Sequence, residues 1–163
     1  MRGIAGLGLG GAVVLVSVSC GGPSLEQEQA AAFHRAGAAL AEADAAWAAG
    51  DRARAAGRYE EALRERPAVS RDAYLRLAEA RETDGHPDAA IDWLQRGRAQ
   101  FPGHSLLLLR LGAFHERAGR LTTALECYEE ARARVPDDPF AWAAVERVQA
   151  AMKAAGRAAK QPS

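Results

Sequence analysis

Apolar residues in the middle of this chain recur at three- and four-residue spacing and are interrupted at regular intervals. Within 105–138, Leu108, Leu111 and His115 fall on one face of a first helix, and Gly112 on that face leaves room for a second helix to approach. Gly119 stands where the first helix must end. Ala124, Tyr128 and Ala131 then make a small-large-small stripe on a second helix, which Pro136 stops by biasing Val135 away from helical geometry. Neither helix is long enough to be stable alone, so the pattern predicts paired helices that must bury their apolar faces on neighbours.

The same order returns upstream. Residues 71–104 carry Tyr74, Leu77 with Ala78, Gly85, Ala90, Leu94, Gly97 and Pro102 in register, and Pro87 suits the first turn of a helix. Residues 36–69 match in their second half, through Gly50, Ala55, Tyr59, Ala62 and Pro67. Their first half diverges, with Glu42 and Ala43 at the large-small step and bulk supplied by Leu40 and Trp47. Pro67 and Pro102 lie 35 residues apart and Pro102 and Pro136 lie 34 apart. A leading helix is predicted from Leu25 to Ala49, with Ser24 as N-cap and Gln27 closing a capping box. After Asp137 and Asp138, either of which can cap, Phe140, Trp142, Val145, Val148 and Met152 predict one last helix. It has no partner to follow it, and Glu146 replaces the small residue.

The order of large, small and breaking residues resembles the tetratricopeptide repeat. The resemblance implies an all-α fold: a right-handed α-solenoid of about three helix-turn-helix units, 36–69, 71–104 and 105–138, plus a C-terminal capping helix, 139–156, in a domain spanning 24–157 with a flexible tail at 157–163. In that family, first-helix positions 2, 5, 6, 9, 12 and 13 tend to line a concave groove. Carried across, they give Leu40, Asp44 and Trp47 from the first unit, and Asp72, Leu75, Arg76, Glu79 and Glu82 from the second. The third gives Leu106, Leu109, Arg110, Ala113, Glu116 and Arg117, and the cap gives Phe140 and Arg147. An apolar strip flanked by both charges suits a peptide or partner helix. Leu106 and Leu109 stand out in the run of leucines 106–109, with Leu107 and Leu108 in the core and the outer pair either open to a partner or packed on the cap or on another copy. Repeat domains of this family that grip acidic chaperone tails carry a set of Lys, Arg and Asn where this chain has Leu40, Asp44, Arg76, Leu106 and Arg110. Only Arg110 matches, so carboxylate clamping is not expected.

The N-terminal segment changes the picture of where such a domain would sit. Arg2, an uncharged run to Ser19 that is strongly apolar from Ala12 to Val16, and small residues before Cys20 resemble a bacterial lipoprotein signal peptide, 1–19. The apolar run is shorter than the ~20 residues of a spanning helix. The resemblance implies lipid on Cys20, a short tether over 20–23, and, with Gly21 after the Cys, the outer membrane facing the periplasm if the source has two membranes. Ser17 departs from the usual Leu. A cleaved signal with an incidental Cys, or an uncleaved anchor, is the alternative. Gly6, Gly8 and Gly11 match G-x-G-x-x-G, but without a preceding strand they do not make a dinucleotide site.

Composition adds exclusions. The chain has 163 residues with 21 basic and 21 acidic side chains, so no strong field points to nucleic acid. Its basic residues are nearly all Arg, with Lys only at Lys153 and Lys160, which hints at G+C-rich coding and a bacterial source. Cys127 is left unpaired once Cys20 is lipidated, and is read as a small buried hydrophobe. His34, His86, His104 and His115 form no ligand pair, and no catalytic motif occurs, so neither metal nor cofactor nor catalytic residue is expected. The expectation is a lipid-anchored scaffold that holds a protein or peptide partner in an envelope complex. A self-associating spacer is the alternative, with a small envelope enzyme behind it.

Overall fold

The computed structural model describes residues 22–158; the expected signal segment, Cys20, Gly21 and residues 159–163 lie outside the described residues. Seven helices follow one another: α1 Leu25–Ala48, α2 Arg52–Glu65, α3 Arg71–Thr83, α4 Pro87–Gln100, α5 Ser105–Arg117, α6 Leu121–Arg134 and α7 Pro139–Ala158. Each packs against its neighbours in sequence, α1 on α2, α2 on α3 and so on to α7, which is the order of an α-solenoid.

Local chemistry sets the ends. Ser24 caps α1 with the expected reciprocal pair, its Oγ accepting from Gln27 N (3.3 Å) while its N–H donates to Gln27 Oε1 (2.9 Å). Ser70 and Asp51 cap α3 and α2, Pro87 opens α4, and Asp138 Oδ1 accepts from Phe140 N (2.9 Å) at the start of α7. The turn inside each unit is the same device. Gly50, Gly85 and Gly119 hold φ of 81°, 79° and 72°, and the amide after each donates back across the turn, Asp51 to Ala46, His86 to Arg81 and Arg120 to His115 (2.8–2.9 Å). This six-to-one bond satisfies a carbonyl at the end of the first helix, and only glycine adopts that backbone without steric cost. Between units, Arg66, Phe101 and Val135 are pulled to extended or near-extended ψ by the proline that follows each.

Packing follows the small-large code. Tyr59, Leu94 and Tyr128 are buried, as are Tyr74, Leu77, Leu107, Leu108 and Leu111. A Cβ built on Gly112 would fall 2.5 Å from Tyr128 Cε1, so the ring occupies the space the missing side chain leaves. One continuous core runs from Ala43 through Tyr59, Tyr74 and Leu94 to Leu111, Phe114 and Cys127, with Leu40 and Trp47 packed on it in place of the regular large-small step. The far end is closed by α7, where Ala144, Val145 and Val148 cover Ala124 and Tyr128, and Ala141 covers Leu108 and Ala131. Cys127 is buried and free. α7 runs to Ala158, two residues past the expected end of the capping helix at 156. Gly156 lies inside the helix, where the modest penalty of one glycine does not end the element.

Candidate functional site

The first helices α1, α3, α5 and α7 carry the expected groove residues, and the structure divides them into three groups. Two are closed clasps. In the first, the Tyr59 hydroxyl on α2 donates to Asp44 Oδ1 on α1 (2.7 Å) and accepts from Arg76 Nη1 on α3 (2.8 Å), which also donates to that carboxylate oxygen (2.6 Å). Three helices from two units meet at one phenol. Burial above all pushes the Tyr59 pKa up to about 12, so it stays neutral and donates. Trp47 flanks this clasp, edge-on to Tyr59 at 6.3 Å and covered by the Arg52 guanidinium at 3.7 Å.

The second clasp repeats the design one helical turn along. Tyr128 on α6 donates to Glu116 Oε2 on α5 (2.9 Å), and Arg147 on α7 grips both oxygens of Glu116 at 2.8 Å. The Arg147 hydrogen bond, ahead of the one from Tyr128, holds the Glu116 carboxyl below its ordinary range. Bidentate geometry and partial burial make this pair stronger than an open surface bridge of about 0–1 kcal/mol.

Between the clasps lies the third group. Asp72, Leu75, Arg76, Glu79, Glu82 and Arg110 line a single cleft of about 200 Å³ with Ala78, Leu94 and Phe114. Arg117 reaches back from α5 to pair with Glu82 at 2.5 Å. Of the remaining expected residues, Leu40 and Ala113 are half-buried, Leu106 is 40 % exposed and Phe140 is 78 % exposed. Leu109 does not stand open beside Leu106. It is half-buried, packed against the two small cores to which α7 contributes Ala141, Ala144, Val145 and Val148.

The sequence pattern assigns Tyr59, Tyr128, Ala78 and Leu94 to the packed faces of the repeat and not to the groove, and Phe114 is a lining residue it does not single out. The signal that could have found them is the alternation Tyr59, Leu94, Tyr128 at one unit position. Away from the groove, Arg35 pairs with Glu65 (2.7 Å) and Arg81 with Glu60, joining successive helices, and Arg98 pairs with Glu130 (2.6 Å), joining the second helices of two units, α4 and α6. His115 is nearly buried, its Nδ1 has no partner, and burial, with Arg120 nearby, holds its pKa down. Among the described residues no group of three His, Cys, Asp or Glu could hold a metal ion, and no helix is long and apolar enough to cross a membrane.

Comparison with known proteins matches two family models described as tetratricopeptide repeat, one over residues 40–105 and one over 106–148. No curated protein matches the sequence. Among solved structures, the Sgt2 TPR domain from Aspergillus fumigatus is similar at 22% identity and TM-score 0.66, covering 78% of this chain and 85% of that one. The first TPR of Spaghetti (RPAP3) bound to an HSP90 peptide aligns at 16% identity and TM-score 0.66, over 74% of this chain and 95% of the other. The Yersinia enterocolitica type III secretion chaperone SycD, in complex with a peptide of the translocator YopD, aligns at 16% and TM-score 0.59, over 78% and 94%. At these identities the likeness is one of fold.

Proposed function

From the premise that this chain belongs to the tetratricopeptide repeat family, with repeats over residues 40–148, we propose that it is a lipid-anchored adaptor whose groove holds a protein segment during assembly or stabilisation of a bacterial envelope complex. Repeats of this family mediate protein–protein interaction, and two of the similar structures are named as peptide complexes. The observation that carries the reading is the cleft between the clasps. It brings six of the expected groove residues together around an apolar floor, a mixture that suits a peptide better than an inorganic ion or nucleic acid. The set of Lys and Asn expected for gripping acidic chaperone tails is absent, so the HSP90 peptide bound by Spaghetti is not taken as a guide to the ligand.

The anchoring half of the proposal rests on the sequence around Cys20 alone. Its test is Cys20→Ala: release of the protein from the membrane fraction supports anchoring, and retention counts against it. The groove half is tested by crosslinking in the native membrane, comparing wild type with Leu106→Asp plus Arg110→Glu, two exposed positions whose replacement leaves the core untouched. Unchanged partners would sink it. Self-association is the second reading, favoured by Phe140 and Leu106, two exposed apolar side chains at the same position of successive first helices. Sedimentation showing a concentration-independent monomer removes it.

A further inference from the structure

The cleft between the second and third units exists because one residue departs from the repeat. Where the first and third units place Tyr59 and Tyr128, each with its hydroxyl shared with an acid and bridged by an Arg nearby, the second unit places Leu94, fully buried and without a hydroxyl. The other two members of the first clasp are nonetheless present. Glu79 holds the unit position of Asp44, and Arg110 that of Arg76. Both face the cleft, and neither side chain has an ion-pair or hydrogen-bond partner among the described residues. The other charges at the lip are taken: Asp72 by Arg71 (2.8 Å), Glu82 by Arg117 (2.5 Å) and Arg76 by Asp44 (2.6 Å).

We propose that this cleft is an anchor pocket for a partner segment that inserts one leucine, methionine or phenylalanine, with a basic residue on one flank to meet Glu79 and an acidic residue on the other to meet Arg110. The proposal rests on the groove reading above and specifies its ligand. Leu75, Ala78, Leu94 and Phe114 supply apolar surface to a space of about 200 Å³. A cavity of about 150 Å³ lined by such side chains accepts benzene, so one ring or branched chain fits. A side chain entering from the open side points its tip at Leu94, where a hydroxyl would find no partner, and this favours an apolar tip over tyrosine. Two unclaimed charges of opposite sign select against a uniformly acidic or basic tail, since either would set like charge against one of them.

The test uses the full chain, a phage-displayed library of random peptides as the probe, and three variants, of which Leu106→Asp on the groove outside the pocket is the control. Leu94→Tyr fills the pocket from within. The first unit carries Ala43 and Tyr59 at the positions that Ala78 and Leu94 hold here, within one core, so the repeat accommodates the pair, and a cooperative thermal transition checks that Leu94→Tyr remains folded. Glu79→Lys with Arg110→Glu reverses the exposed pair. Selected peptides should share an apolar residue flanked by opposite charges, bind Leu94→Tyr about tenfold more weakly or worse, and bind the reversed variant best with their own flanking charges exchanged. Peptides that are indifferent to both variants but lose binding with Leu106→Asp would refute the pocket and leave the groove reading standing. Peptides indifferent to all three, or a library that yields no binder, would refute both.

Discussion

Replacing Gly112 by alanine tests the close approach of α5 and α6. Two effects of opposite sign compete. An alanine in a helix interior is favoured over glycine by about 0.5–1 kcal/mol. Against this, the new Cβ would fall 2.5, 2.7 and 2.9 Å from three atoms of the Tyr128 ring, and Tyr128 is buried with its hydroxyl tied to Glu116. Moving that ring costs on the scale of overpacking, about 1–3 kcal/mol. At the middle of each range the overpacking cost wins by about 1 kcal/mol, and by no more than about 2.5 kcal/mol, so the thermal midpoint falls by roughly 2–4 °C at the central value for a chain of this size. Urea unfolding of wild type, Gly112→Ala, Tyr128→Leu and the double variant makes a complete cycle. The second unit already pairs alanine and leucine at these positions, Ala78 and Leu94, so in the Tyr128→Leu background Gly112→Ala should become neutral or stabilising. A Gly112→Ala protein more stable than wild type in the presence of Tyr128 would refute the reasoning, because the helix-propensity gain alone would then account for the result.

His115 has its folded pKa lowered, chiefly by burial, so the unfolded chain takes up the proton first; stability is intact above about pH 6.5 and is lost as pH falls through the lowered value. Chemical denaturation between pH 7.5 and 5 should show this slope, and His115→Leu should flatten it. The Glu116 carboxyl is also held down, so its share of stability is present above the usual glutamate range near pH 4.3 and disappears as pH falls below it. Arg147→Met should flatten that acid limb and lower stability above it; an unchanged slope would show that the bridge contributes nothing. Gly119→Ala forces a side chain into a left-handed turn and should cost about 1–2 kcal/mol by urea unfolding, whereas Gly156→Ala, at a helical backbone, should cost nothing.

The parts of this fold that a sequence shows are those fixed by near neighbours. Gly50, Gly85 and Gly119 mark the turns inside units, Pro67, Pro102 and Pro136 the turns between them, and Ser24 with Gln27 the first cap. Each is a local backbone requirement, so its residue is legible without knowing what packs where. The clasps are different. Asp44, Tyr59 and Arg76 come from three helices, and their meeting depends on how far one unit is rotated on the next, which no local pattern encodes. Leu109 was ambiguous for the same reason. Its facing on α5 is plain from periodicity, but whether that face is open depends on where α7 crosses. The middle cleft was half legible, since Leu94 breaks the tyrosine series in plain sight, yet only the geometry ties that break to the unclaimed Glu79 and Arg110.

The last helix has a bearing on assembly as well as on stability. Its inner side shields Tyr128, Leu108 and Ala131, while Ala143, Glu146, Gln149, Ala150 and Lys153 look outward, and exposed aromatic surface is confined to Phe140 and Trp142 in its first turn. Beyond that first turn, from Ala143 to Lys153, a copy arriving head to tail meets no further apolar stripe to stack on, which disfavours an open-ended contact threading molecules into a fibre.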